Sequence, residues 1–206
     1  MTHLLVGITM ATLLVGGTTP ATEPTPLRTI VYNVTSSRHC SPAQFGDEHG
    51  TLTIAILAAH PDQTLVADVA FTGESIDQPT VRVTIARDGS LSYNPPGSPT
   101  TRLCPEVGWI VPLLARGFLT GAQISPGATW DISYSSPWSR GITWYRVVKV
   151  DGARAVIAIN ADRGSRRPTT GTMTYAMDIH SPISLELDSL FAHVSADRVS
   201  DSFERR

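Results

Sequence analysis

From Thr172 the chain reads TMTYAMDI, in which Met173, Tyr175, Met177 and Ile179 alternate with Thr172, Thr174, Ala176 and Asp178. Successive side chains of a β-strand point to opposite faces, so this spacing predicts a strand with one apolar and one wetted side. The same period recurs along most of the chain. It appears with Ile30, Tyr32 and Val34 in LRTIVYNVT, with Leu52, Ile54 and Ile56, and with Leu65, Ala67, Val69 and Phe71. Val81, Val83 and Ile85 continue it, as do Leu91 and Tyr93, then Trp130, Ile132 and Tyr134, then Ala155, Ile157 and Ile159. In ITWYRVVKV the reading puts Ile142, Trp144, Val148 and Val150 on the apolar side. HPDQ, the DG pair at Asp88–Gly89, SPGA, VDGA and HSPI punctuate the runs and read as turns, DG and VDGA as tight hairpins. One wet face per strand points to antiparallel pairing.

The helical signal lies in PEVGWIVPLLARGF. Val107, Ile110, Val111 and Leu114 fall at helical spacing, Pro105 suits a first turn, Gly117 suits a stop, and Pro112 is expected to kink or split the helix. Trp109 and Leu113 widen its apolar stripe, which places it against the sheet. In SLELDSLFAHV the apolar phase changes between Leu187 and Leu190, as a one-residue bulge in a single strand would produce. The polar end, DRVSDSFERR, reads as an edge strand or a tail. The fold expected is mainly β, a curved antiparallel meander of about nine strands, a half-barrel or open barrel, with one kinked helix on its concave face. In strand spacing, though in no diagnostic motif, this arrangement resembles exported bacterial half-barrel proteins of the lipoprotein-carrier kind. The resemblance spans most of the chain after the N-terminal segment and transfers no functional residue.

Residues 1–21 have the outline of a secretory signal peptide, an apolar run from Leu4 to Gly17 followed by small residues, and 22–26 form a Thr/Pro linker. Residues 27–206 then make a single β-rich domain. No later segment approaches a membrane span, so the expected product is secreted or periplasmic and has no integral membrane part. In an oxidising compartment Cys40 and Cys104 are expected to pair, closing a loop of about sixty residues and contributing about 4 kcal/mol in the chain-entropy model. A formal net charge of −2 gives no electrostatic reason to expect nucleic acid as a partner.

The stretch SSRHCSPAQFGDEHG brings His39, Cys40, Asp47, Glu48 and His49 close in sequence, with His60 further on, but at no recognised zinc spacing. No metal is expected there. Asp178, His180 and Ser181 supply the residue types of a hydrolase triad without its sequence context, because no Gly-x-Ser-x-Gly elbow occurs. Phosphate loops, dinucleotide fingerprints and His-Glu-x-x-His are also absent, so neither a cofactor nor a catalytic residue is expected.

Two groups remain. Trp109, Trp130, Trp144, Met173, Tyr175 and Met177 either line an apolar ligand cavity under the helix or are plain core. Arg163, Arg166 and Arg167 form a basic loop suited to an anionic headgroup or simply to solvent. The leading expectation is a non-enzymatic extracytoplasmic protein that holds a lipid or other hydrophobic small molecule between sheet and helix. The alternative is an envelope structural or interaction module meeting another envelope protein, with a secreted hydrolase as a remote third.

Overall fold

The computed structural model describes residues 24–38, 48–74, 77–93, 103, 105–115, 124–136, 139–162, 168–189 and 192–205. They form eleven strands, β1 (Arg28–Arg38), β2 (Glu48–Ala59), β3 (Leu65–Gly73), β4 (Asp77–Ile85), β5 (Leu91–Tyr93), β6 (Thr129–Ser136), β7 (Ser139–Asp151), β8 (Arg154–Asp162), β9 (Thr169–Ala176), β10 (Ser181–Asp188) and β11 (Ala192–Asp201). One α-helix, α1 (Pro105–Ala115), stands between β5 and β6, and a 3-10 turn (Ser202–Arg205) follows β11. The segment 1–21, the linker residues 22–23, Cys40, Cys104, Arg163, Arg166 and Arg167 lie outside the described residues.

All eleven strands join one sheet in the order β5-β4-β3-β2-β1-β11-β10-β9-β8-β7-β6, and every neighbouring pair is antiparallel. The chain starts in the middle, steps out to β5, crosses through the segment that carries α1 to β6, and steps back until β11 pairs with β1. Among the described residues β5 and β6 are the open edges, and the sheet is not closed into a barrel.

The expected alternation holds in most strands: Ile30, Tyr32 and Val34, Leu52, Ile54 and Ile56, Val81, Val83 and Ile85, and Ile157 and Ile159 are all buried on one face. Eleven strands at strand spacing would make a flat sheet about 48 Å wide, against a helix only about 10–12 Å across. One helix of that width cannot cover such a face. Yet inward side chains of β1–β4 and β7–β11 are buried in a single cluster with those of α1, as a sheet curved around the helix allows. α1 packs against β2 and β10, and the Leu114 carbonyl accepts a hydrogen bond from the Tyr32 hydroxyl at 3.4 Å. Pro112 does not split the helix. A proline near the C-terminal end removes only one helical amide, the one that would have bonded Gly108.

The turn signals are also realised. In the β2–β3 connection Asp62 accepts from the Thr64 amide at 3.0 Å, and in the β4–β5 hairpin Gly89 takes a φ of 81° while Asp88 accepts from the Ser90 amide at 2.9 Å. Three expectations need correction. SLELDSLFAHV is not one bulged strand, because β10 ends at Asp188 and β11 begins at Ala192. The polar C-terminal run is neither edge nor tail, since β11 sits mid-sheet between β1 and β10. In β7 the buried residues are Tyr145 and Val147, whereas Ile142, Trp144 and Val148 face out. A register shift between Val147 and Lys149 then returns Val150 to the core side.

Candidate binding surfaces

The most densely bonded polar cluster lies at mid-sheet, where β1, β10 and β11 meet. Asp201, only 1% exposed, accepts from Arg28 Nε at 3.0 Å and from the Phe203 amide at 3.0 Å, with Arg198 Nη1 3.8 Å away. Arg28 also donates to the Ile179 carbonyl at 3.1 Å, and its guanidinium lies 4.8 Å over the Phe203 ring. Register breaks between Pro182 and Ser184, and the Pro182 carbonyl accepts from the Tyr32 hydroxyl at 3.1 Å and from Arg198 at 3.3 Å. The Ser181 hydroxyl is within hydrogen-bonding reach of both Tyr32 and Asp201.

Burial opposes ionisation of Asp201, but Arg28 and the Phe203 amide outweigh it and hold the carboxyl below the usual range. Burial pushes the Tyr32 phenol well above its ordinary value, despite hydrogen bonding from Ser181 and the nearby arginines. A phenol held neutral in this way is neither a base nor a nucleophile at neutral pH. The cluster therefore ties the first strand, the last strand and the 177–180 turn together.

That arrangement also disposes of the residue types in DIHS. Ser181 is buried and committed to the cluster, His180 is exposed with a φ of 49°, and Asp178 accepts from the neighbouring Ile179 amide at 3.0 Å. They do not meet as a triad. At the other end of the sheet His49 is exposed, its Nδ1 3.1 Å from the Thr35 hydroxyl, and Glu48 is buried. Among the described residues no three potential ligands gather around a common point, and His39, Cys40 and Asp47 lie outside them.

The six residues expected to line a cavity divide into three groups. Met173 and Tyr175 are fully buried core. Trp109, Trp130 and Met177 are half-buried at the margin of the same core, and Trp130 stacks on Tyr145 with ring centroids 5.2 Å apart. Trp144 stands on the opposite, outer face, 43% exposed, in an open depression of about 540 Å³.

Half-buried apolar residues border this core, among them Leu91 and Tyr93 on β5, Trp130 and Ile132 on β6, and Trp109 and Leu113 on α1. Among the described residues two buried side-chain polar atoms have no hydrogen-bond partner, the Trp130 indole Nε1 and the Tyr175 hydroxyl. Burial raises the Tyr175 phenol well above its ordinary value, the more distant Arg28 only partly offsetting it. Leaving such a donor buried and unbonded costs about 1–3 kcal/mol, which a ligand acceptor at that point recovers. The sequence reading missed the outer depression, because Asp131, Arg146 and Asn160 look like ordinary solvent positions until register sets them beside Trp144. No protein-family model and no curated protein matches the chain.

Proposed function

We propose that the protein is a non-enzymatic binding protein that holds an apolar or lipidic ligand on the concave side of its sheet, in the manner of the exported half-barrel carriers its strand spacing resembles. The observation that carries this reading is the indole N–H of Trp130, buried and without a hydrogen-bond partner on a half-buried ring that packs against the apolar core and stacks on Tyr145. A ligand with an apolar body and one hydrogen-bond acceptor, such as a fatty acyl chain with its carboxyl or ester group, satisfies both features at once. Export to the periplasm or exterior suits such cargo, since a chain of this kind needs a water-soluble host between membranes.

Native mass spectrometry of the full chain after incubation with dodecanoic acid tests the proposal. The expected spectrum shows a one-to-one adduct that is lost on denaturation and is weakened by Trp130→Phe. A spectrum without adduct, or an adduct indifferent to that substitution, overturns it.

A further inference from the structure

The outer face of β6–β8 carries a different kind of site. Antiparallel register sets Asp131, Trp144 and Asn160 side by side as direct partners on three adjacent strands, and one step along the same face sets Thr129, Arg146 and Ala158 side by side. These six residues, with Trp130, Tyr145 and Ile159 between them, line the depression of about 540 Å³, a size within the range of ligand pockets. Ala158 is the smallest of them, so the second row is low at the β8 side. Beneath, on the inward face, Trp130 and Tyr145 stack nearly parallel at 5°, which gives the strands under the groove a stiff floor. Among the described residues, Asp131, Arg146 and Asn160 have no side-chain hydrogen bond or ion pair. Their carboxylate, guanidinium and carboxamide are therefore available to a ligand.

From this grid we infer that the depression is a saccharide-binding site, with the Trp144 indole as a stacking platform and Asp131, Asn160 and Arg146 as hydrogen-bonding walls. A β-linked gluco-configured ring has a flat face of axial C–H groups and a perimeter of hydroxyls. The face suits an exposed indole, whose π cloud attracts weakly positive C–H groups. The perimeter suits planar side chains that bond two neighbouring hydroxyls at once. Spacing agrees as well, because the partners flanking Trp144 stand one strand away on each side, about 4.8 Å. A peptide added as a further strand would pair along the open edge of β6 and not over the Trp144 ring, because β7 is already paired on both sides. A lipid needs a continuous apolar surface, whereas charged and amide groups border this ring. The inference concerns the outer face of the sheet and stands whether or not the concave side carries a ligand.

Isothermal titration of the full chain with cellohexaose and with chitohexaose tests it. Saturable binding of at least one is expected, weakened about tenfold or more by Trp144→Ala and by Asp131→Ala. Trp144→Tyr keeps most of the affinity, and Val148→Ala, on the same face beyond the groove, keeps all of it. Because Trp144 and Asp131 are exposed, the variants should melt with the wild type, which separates loss of a site from loss of fold. Absence of binding to both sugars, or binding undiminished by Trp144→Ala, overturns the inference.

Discussion

The middle of the sheet and its β6–β8 flank use their polar groups in opposite ways. At the middle, Asp201, Arg28, Arg198, Tyr32 and Ser181 spend their hydrogen bonds on one another and on the Pro182 and Ile179 carbonyls. On the flank, Trp130 keeps a buried donor unbonded, while Asp131, Arg146 and Asn160 surround an exposed indole without bonding to anything. Polar groups that satisfy one another hold a fold. Groups left unsatisfied on a paired sheet are free to bond a ligand.

Asp201→Asn is the sharpest way to break this contrast. It leaves two largely buried guanidinium groups facing an uncharged partner and is expected to destabilise the fold by about 3 kcal/mol, read from the midpoint of urea unfolding. A loss no larger than that of an average surface substitution contradicts the role assigned to the cluster. The same pair of proteins reports on pH. The folded Asp201 carboxyl is held below its ordinary value, so its contribution is fully present above the unfolded value of about 3.9 and disappears as pH falls through the folded one. The stability gap between wild type and Asp201→Asn should therefore narrow below about pH 4. Parallel curves down to strong acid exclude this linkage.

Two buried tyrosines, one with a bonded hydroxyl and one with an unpartnered hydroxyl, sharpen the comparison further. Tyr32→Phe removes a hydroxyl that donates to Pro182 and should cost about 1 kcal/mol. Tyr175→Phe removes an unpartnered hydroxyl and should be neutral or mildly stabilising in the ligand-free protein. Equal losses by thermal melting break the distinction. The smallest effect is expected from Trp144→Ala, within about 0.5 kcal/mol of wild type, because the indole lies on the surface and packs in no core.

Local signals were legible in the sequence and long-range ones were not. Period-two runs and turn residues located most of the strands, because each depends on neighbours within a few positions. β7 defeated that reading since both its faces carry apolar residues, and the shift at Val147/Lys149 changes the phase midway. The break between β10 and β11 resembled a bulge for a related reason, because a phase change looks the same whether the chain bulges or reverses. The Arg28–Asp201 pair joins residues 173 positions apart and leaves no mark on the sequence. The outer depression needs register across three strands before Asp131, Trp144 and Asn160 become neighbours. Export of the chain and pairing of Cys40 with Cys104 stay expectations from the sequence, answerable by the intact mass of the exported protein under non-reducing conditions.

The two faces of the β6–β8 flank are proposed to take different ligands, an acyl chain on the inner face and a saccharide on the outer one. Nuclear magnetic resonance of the indole N–H groups of the 15N-labelled full chain, with the four tryptophans assigned by substitution, tests this most directly. Dodecanoic acid should move the Trp130 signal more than that of Trp144, and cellohexaose or chitohexaose should do the reverse. Signals that ignore all three ligands, or that move together with each of them, contradict the account.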